Sequence, residues 1–226
     1  MVESVAAQCS LPTTPNPEEY EKRRSDTNVK IIQGTGPAGF QTVFELVRGK
    51  KSWGCEEGKE NLLKDKKRIC FVCLGNIVRS PLAEHLFNHL TEQMQMADRY
   101  EASSAGLGSW HIGERPDPRM LQVAARNGLV YDGKACQFER SGFDDCDLIL
   151  AMDRDNRSIL RRMASNEEQR QKIHLLREFD PEGDPNASVP DPWYGGAEGF
   201  EEVYRIIERS VRGLVKALEE GEVWEA

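Results

Sequence analysis

The segment from residue 68 to residue 82 constrains the fold of this 226-residue chain more than any other. An apolar, β-branched run predicts a strand that ends at Cys73. The run from Arg79 to Pro81 then opens a helical pattern, since proline is favoured in the first turn of a helix. The loop between them would surround an anion with backbone N–H groups at a helix N-terminus, where the helix dipole favours negative charge. A thiol would therefore lie inside an anion-binding site.

Strand and helix signals alternate after residue 67. Strands are predicted over 68–72, 99–105, 147–152 and 172–176, and helices over 81–96, 118–127, 153–164 and 199–219. Gly128 suits a helix C-terminus, and Asp153 suits an N-cap. This order predicts an α/β fold, a doubly wound four-stranded parallel sheet with helices on both faces and a phosphate-binding loop after the first strand. Ligands of such sheets bind beyond the C-terminal strand ends, where Cys73 falls.

The chain divides by composition into an N-terminal extension, residues 1–66, and a globular domain, residues 67–226. The extension is rich in Pro, Glu, Ser and Thr at its start and in Lys and Glu at its end, which predicts a largely disordered segment. Between these stretches, Gly34, Gly36 and Gly39 form a GxGxxG pattern after a short strand-like run, as in dinucleotide-binding units. The polar connector that follows leaves no room for a complete nucleotide domain, so we expect a short strand and helix appendage and no cofactor.

Cys73 and Arg79 together predict phosphoryl chemistry. The helix N-terminus and the neighbouring guanidinium would favour the thiolate form of Cys73, which would attack phosphorus without a separate base. Arg79 is suited to bridging two phosphoryl oxygens, because its planar group donates two parallel hydrogen bonds. Ser80 would donate a hydrogen bond to the thiolate and ease its departure.

A proton donor for the leaving oxygen is expected at Asp191, which lies between Pro190 and Pro192. The fixed φ angles of the prolines would orient the carboxyl group at a small conformational cost. Trp193 and Tyr194 follow directly and would wall a slot for a flat ring. An acid beside a ring-binding slot predicts an aryl phosphate substrate.

The motifs of this chain resemble those of the low-molecular-weight protein-tyrosine phosphatase family over residues 67–220. They are Val72-Cys73-Leu74-Gly75-Asn76, Arg79-Ser80-Pro81, Pro116-Asp117-Pro118-Arg119, the segment 148–153 and Asp191-Pro192-Trp193-Tyr194-Gly195. The resemblance implies a phosphoric monoester hydrolase with a cysteinyl-phosphate intermediate, in which Cys73 is the nucleophile, Arg79 binds phosphate and Asp191 is the general acid and then the base. It also implies a set of substrate-binding residues, namely Leu74, Gly75, Asn76, Ile77, Val78 and Ser80 in the loop and Trp110, Trp193 and Tyr194 in an aromatic wall.

Two positions depart from the family pattern. The family commonly carries a second cysteine directly before the loop arginine, which can trap the oxidised nucleophile as a reversible disulfide, and here that residue is Val78. Some members also carry a histidine that bonds the loop asparagine, and this chain has none at residues 132–137. We expect hydrolysis to survive the absence of the second thiol, but not the reversible protection of the oxidised nucleophile. The sequence leaves open which residues support Asn76.

Charge and residue spacing disfavour several other classes of protein. The net charge of −8 argues against nucleic acid as a partner, and we expect no membrane association because no long apolar run is present. Cys70 and Cys73 have the CxxC spacing of zinc or redox sites, but no second pair accompanies them, so we expect no metal. The six irregularly spaced cysteines indicate a reducing, cytoplasmic setting. We expect a phosphotyrosine-containing protein as the substrate and a monomer as the active species.

Two other functions stay open at this point. An arsenate reductase would use the same scaffold but would need relay thiols beyond Cys73, and Cys136 and Cys146 show no pairing pattern. A non-catalytic phosphate-binding module would not require Cys73 and Asp191 together. The predicted proton donor favours phosphoester cleavage over both.

Overall fold

The computed structural model describes residues 66–193 and 196–224, and strands and helices alternate along them. The strands are β1 (Lys67–Cys73), β2 (Tyr100–Gly106), β3 (Leu148–Ala151) and β4 (Ile173–Leu175). The α-helices are α1 (Arg79–Gln93), α2 (Pro118–Arg126), α3 (Gly142–Asp145), α4 (Arg154–Met163), α5 (Glu167–Gln171) and α6 (Ala197–Glu220). Short 3₁₀ helices span Leu176–Phe179 and Glu222–Trp224.

The four strands are parallel and lie in the order β2–β1–β3–β4. Strand β1 is central, because it pairs with β2 from Lys67 to Cys73 and with β3 from Ile69 to Val72. The chain leaves β1 toward β2 and later returns to the other side of β1 with β3, so the strand order reverses beside the C-terminal end of β1. The expected doubly wound α/β fold is confirmed, and Cys73 ends its strand at this switch point.

Both faces of the sheet are buried, as is usual for parallel sheets. Side chains of β1 alternate between two cores: Ile69 and Phe71 pack with residues of α1 and α6, whereas Cys70 and Val72 pack with residues of α3 and α4. This two-sided burial explains why β1 is apolar at successive positions instead of alternating with polar residues. Phe71 and Val72 are fully buried, so the strand that carries Cys73 is held rigidly on both sides.

Several helix ends agree with the signals in the sequence. Gly128 follows α2 with a φ of +84°, a left-handed conformation that glycine adopts without strain. Asp153 caps α4, where its Oδ1 accepts the N–H of Asn156 at 2.6 Å. Helix α1 begins at Arg79, slightly earlier than predicted. Helices α3 and α5 were not predicted, because segments of four and five residues are too short to show an apolar period.

Some predictions lie outside the described residues. They concern the extension up to residue 65, with its GxGxxG pattern, and Tyr194 of the aromatic wall. The division into an extension and a domain therefore stays a prediction. Among the helices of the described segments, none combines the length and the apolar character that a membrane span requires.

Candidate active site

The loop from Cys73 to Arg79 connects β1 to α1 and forms the floor of a cleft. Asn76 in this loop has a φ of +56°, a left-handed conformation that asparagine tolerates better than most residues. The cleft is lined by Cys73, Leu74, Gly75, Asn76, Ile77, Val78, Arg79, Trp110, His111, Asp191 and Trp193. The folded chain therefore brings together in one cleft the cysteine, the arginine and the aspartate that the sequence singled out.

The thiol of Cys73 lies at the buried centre of the loop. Its Sγ accepts the backbone N–H of Asn76 at 3.2 Å, and Ser80 Oγ lies 3.0 Å from the same sulfur. The N-terminus of α1 starts only a few residues further along the chain, at Arg79. Polar groups thus converge on the sulfur from the loop and from the helix, in the arrangement expected from the sequence.

Arg79 connects the loop to two carboxylates. This buried residue donates from Nη1 to Asp153 Oδ2 and from Nη2 to Asp191 Oδ2, each at 2.7 Å. Nη1 also donates to the carbonyl of Val189 at 3.2 Å. Burial disfavours the cation, but the negative charges of Cys73 and the two aspartates outweigh it, so the pKa of Arg79 is raised above its already high ordinary value.

Asp191 lies at the mouth of the cleft in a loop that is anchored to the sheet. The N–H of Val189 donates to the carbonyl of Met152, directly after β3, at 2.7 Å. The Asp191 side chain is 44% exposed, and its Oδ1 accepts the N–H of Trp193 at 3.1 Å. The carboxyl group therefore faces both the cleft and solvent.

Asn76 is supported by hydrogen bonds on the far side of the loop. Its Nδ2 donates to Ser80 Oγ and to Ser104 Oγ, both at 2.9 Å, and its Oδ1 accepts the N–H of Cys136 at 2.9 Å. Ser104 Oγ in turn donates to Glu84 Oε2 at 2.6 Å. The support that the sequence left open thus comes from two serines and a backbone amide, with no histidine involved.

Exposed apolar side chains border the cleft, and a histidine adjoins them. Leu74, Trp110 and Trp193 are exposed. The ring of His111 lies 6.3 Å from that of Trp110 and 5.8 Å from that of Trp193, centroid to centroid. Its Nδ1 lies 2.7 Å from Glu114 Oε2. The sequence did not predict His111 as a site residue, because a single histidine has no spacing pattern, and its only signal was its place next to Trp110.

Asp153 has a second contact that the sequence did not predict. The residue was expected as a helix cap, which its Oδ1 provides. Its other oxygen, Oδ2, binds Arg79, and the two residues are 74 positions apart in the chain. Asp153 therefore holds Nη1 of the guanidinium, whereas Asp191 contacts Nη2.

Of the cysteines that the structure describes, Cys73 alone lines the cleft. Cys70 and Cys146 lie in the core on the opposite face of the sheet. Cys136 is exposed, and its Sγ donates to the carbonyl of Ser104 at 3.1 Å. Within residues 66–193 and 196–224, no group of three or more His, Cys, Asp or Glu side chains is placed to hold a metal ion.

A loop with a cysteine at its centre joins the central strand of a doubly wound sheet to a helix N-terminus, and this arrangement is typical of the α/β proteins that bind oxyanions. Within this class, the model described as "Low molecular weight phosphotyrosine protein phosphatase" matches residues 68–223. The chain belongs to the low molecular weight phosphotyrosine protein phosphatase family.

Individual relatives agree with the family match. The chain is 44% identical over 154 residues to the low molecular weight protein-tyrosine-phosphatase of Streptomyces coelicolor, covering 68% of this chain and 94% of that protein. It is 35% identical over 153 residues to low molecular weight protein-tyrosine phosphatase A of Mycobacterium tuberculosis, covering 67% of this chain and 91% of that protein.

Solved structures share the fold. The crystal structure of a protein tyrosine phosphatase from Entamoeba histolytica matches with a TM-score of 0.66 and 36% identity, covering 70% of this chain and 99% of that chain. YfkJ from Bacillus subtilis matches with a TM-score of 0.63 and 36% identity, covering 70% of this chain and 97% of that chain. The resemblance expected from the motifs and the enzyme class, a phosphoric monoester hydrolase, are confirmed.

Proposed function

We propose that this protein hydrolyses phosphotyrosine monoesters in protein substrates, through a phosphocysteine formed at Cys73. The observation that carries the proposal is the position of Arg79, which contacts Asp191 across the cleft although 112 residues separate the two in the sequence. The thiol, the guanidinium and the carboxylate line one cleft, so a single phosphoryl group would reach all three.

The loop is proposed to bind the phosphoryl group. Its backbone N–H groups and the positive end of α1 surround the space above Cys73 and favour a dianion. Arg79 is fixed by Asp153 through Nη1, so Nη2 is the nitrogen that turns to the substrate. Phosphoryl oxygens then replace Asp191 as the partner of Nη2, and the exposed Asp191 carboxylate takes up a proton from solvent, which it can pass to the leaving oxygen.

The reaction proceeds in two displacements. In the first, the Cys73 thiolate forms a P–S bond while the bond from phosphorus to the phenolic oxygen breaks, and Asp191 transfers a proton to that oxygen. In the second, water attacks phosphorus, Asp191 removes a proton from the water, and the P–S bond breaks to release inorganic phosphate and the thiolate. The Asn76 N–H and Ser80 stabilise the departing thiolate, and Arg79 binds the phosphoryl oxygens in both transition states.

The border of the cleft favours an aryl ester. Leu74, Trp110 and Trp193 line it, and Tyr194 follows directly in the sequence. These side chains would pack against the flat ring of a phosphotyrosine, and they would find little to contact on phosphoserine. We therefore expect aryl phosphates to be preferred over alkyl phosphates.

We propose that residues 67–226 form the phosphatase domain and that residues 1–66 are an extension to it. The family match over residues 68–223 supports this division.

A nucleophilic thiol has to stay reduced, which supports a reducing compartment such as the cytoplasm. None of the proposed steps requires a second copy of the chain, so a monomer suffices.

Trapping of the phosphoenzyme tests the proposal. Wild type should release phosphate from p-nitrophenyl phosphate and show a phosphocysteine at Cys73 by mass spectrometry after an acid quench. Asp191→Ala should bind substrate and turn it over about 10²–10⁴-fold more slowly, and Cys73→Ser should be inactive. Cys146→Ser, in the opposite core, is the matched control and should keep activity.

Two results would contradict the proposal and point to the other functions. An arsenate reductase would oxidise thiols in the presence of arsenate and would release no phosphate from an aryl ester. A phosphate-binding module would bind phosphate but form no phosphocysteine.

A further inference from the structure

Asp117 and Arg119 lie beside the cleft and have no part in the proposed reaction. Asp117 caps α2, because its Oδ1 accepts the backbone N–H of Arg119 at 2.8 Å. The Arg119 side chain also donates to Asp117, from Nε to Oδ1 at 3.0 Å and from Nη2 to Oδ2 at 2.7 Å. The Asp117 side chain is 5% exposed, whereas that of Arg119 is 46% exposed. A planar fork of hydrogen bonds to a buried carboxylate therefore holds the half-exposed guanidinium in one orientation.

Asp117 is also connected to the phosphate loop. Its N–H donates to the carbonyl of Ile77, which lies in the loop between Cys73 and Arg79, at 2.8 Å. Burial alone would raise the pKa of Asp117, but the hydrogen bonds from Arg119 lower it below its ordinary value. The carboxylate thus stays ionised at neutral pH and keeps its partner in place.

Arg119 reaches the loop that carries Asp191. Its Cζ lies 5.3 Å from the centroid of the Trp193 ring and 4.5 Å from that of the Phe200 ring. Both distances fall within the range in which an aromatic face attracts a cation. Phe200 is fully buried near the start of α6, and the N–H of Trp193 donates to Asp191 Oδ1. Arg119 therefore links the residue that contacts Asp191 to a fixed point in the core.

We propose that Arg119 is a positioning residue for the general acid, which it holds over the phosphate loop through Trp193. The inference rests on the proposed function, because it requires that Asp191 protonates the leaving group. A continuous path of contacts runs from Ile77 through Asp117 and Arg119 to Trp193, so the two sides of the cleft are tied to each other. Without Arg119, Trp193 loses its contact with the cation, and the carboxyl of Asp191 faces the leaving oxygen for a smaller share of the time.

A simpler role for Arg119 is to neutralise the buried charge of Asp117, and a lysine distinguishes the two roles. Lysine at residue 119 would keep a positive charge near Asp117. It would lose the planar fork and the flat contact with the aromatic rings, because its ammonium is a compact point charge. The positioning role therefore predicts a defect in Arg119→Lys, and the neutralising role predicts none.

The dependence of kcat/KM on the leaving group tests the proposal. It is measured for p-nitrophenyl phosphate, whose leaving group is a weak base, and for phenyl phosphate, whose leaving group needs a proton more. The ratio compared is kcat/KM for p-nitrophenyl phosphate divided by kcat/KM for phenyl phosphate. Asp191→Asn should raise this ratio by about 10-fold or more, because general acid catalysis matters most for the poorer leaving group. Arg119→Met and Arg119→Lys should raise the same ratio by about 3–10-fold through misplacement of the acid. Inhibition by inorganic phosphate should not change.

The control is Arg126→Met, which removes another arginine of α2, one that pairs with Glu201 on the surface. It should leave the ratio at the wild-type value. The double variant Arg119→Met/Asp191→Asn should have the ratio of Asp191→Asn alone, because Arg119 acts through Asp191. Melting temperatures check that each variant is folded, and if Arg119→Met is not, Arg119→Lys carries the same test.

The outcomes separate the inference from the function on which it rests. A wild-type ratio in Arg119→Lys, an equal loss of kcat/KM for both esters, or an effect that multiplies that of Asp191→Asn would overturn the positioning role. A wild-type ratio in Asp191→Asn would instead overturn the proposed role of Asp191 itself.

Discussion

Replacing Asp153 should separate two contacts that one side chain makes. Its Oδ1 accepts the N–H of Asn156 at 2.6 Å and caps α4, and its Oδ2 accepts Nη1 of Arg79 at 2.7 Å. Asp153→Ala removes both contacts. Asp153→Ser keeps a hydroxyl that caps the helix, but this single oxygen cannot also reach Arg79. The two variants therefore share the loss at Arg79 and differ in the cap.

The size of each effect follows from these contacts. An N-cap contributes about 1 kcal/mol to the free energy of unfolding, and a hydrogen bond to a charged group contributes about 1.5–3 kcal/mol. Asp153→Ala should therefore lose about 2.5–4 kcal/mol and Asp153→Ser about 1.5–3 kcal/mol, and both should still fold. In both variants kcat/KM should fall by about 10–100-fold, because Arg79 loses the carboxylate that orients it.

Urea unfolding measures the stability of the variants, and hydrolysis of p-nitrophenyl phosphate measures kcat/KM. Asn166→Ala is the matched control, because its side chain caps α5 by accepting the N–H of Gln169 at 2.8 Å. It should cost up to about 1 kcal/mol and leave kcat/KM unchanged. Wild-type kcat/KM in Asp153→Ser, with a loss in Asp153→Ala, would refute the reasoning, because the cap and not the contact with Arg79 would then support catalysis.

Three further predictions concern packing, pH and oxidation. Gly213→Ala should lower the free energy of unfolding, measured in urea, by about 1–3 kcal/mol, because a Cβ at this position would meet a backbone carbonyl oxygen. This loss is expected although alanine favours helices more than glycine does, and wild-type stability would contradict the close packing. Burial opposes the charge of Asp180, but the hydrogen bonds from Arg209 contribute to a net lowering of the Asp180 pKa. The ionised Asp180 therefore stabilises the fold above the ordinary pKa of about 4, and this stabilisation is lost as pH falls through the lowered pKa. The gap in urea midpoint between wild type and Asp180→Asn should therefore shrink in acid, and a constant gap down to about pH 2 would exclude this role. Peroxide should inactivate wild type with poor recovery of activity in dithiothreitol, and the Val78→Cys variant should recover better. The new thiol would attack the sulfenic acid of Cys73 to form a reducible disulfide and water. Full recovery of wild type would count against this idea.

The phosphate loop was predictable because its signals are local. Cys73, Arg79 and the following proline are close together in the sequence, and the alternation of strands and helices follows from the spacing of apolar residues. The place of Asp191 in the cleft was also predictable, because a proline lies on each side of it and two aromatic residues follow. The family match confirms the fold and the enzyme class that these patterns indicated.

The contacts that orient these groups were not predictable, because they join distant parts of the chain. Arg79 meets Asp153 across 74 residues, and Asn76 meets the N–H of Cys136 across 60 residues. Such pairs depend on the order and register of the strands, which a local pattern does not encode. Arg119 shows the same limit, because its contact with Trp193 exists only once α2 and the loop that carries Asp191 lie side by side.

The hydrogen bonds behind Asn76 have a direction that the amide of this residue sets. An ionised Glu84 can only accept, so the Ser104 hydroxyl donates to it, and the oxygen of that hydroxyl accepts from the Asn76 amide. The same amide donates to Ser80 Oγ, and the single Ser80 hydroxyl hydrogen lies between two acceptors, Cys73 Sγ at 3.0 Å and the carbonyl of Ala105 at 3.4 Å. The Ser80 hydroxyl and the N–H of Asn76 both lie within hydrogen-bond distance of the sulfur, at 3.0 and 3.2 Å. Because the Asn76 side-chain oxygen accepts the N–H of Cys136, its nitrogen faces both serines, and the orientation of this one amide sets the direction of the hydrogen bonds between Glu84 and Cys73.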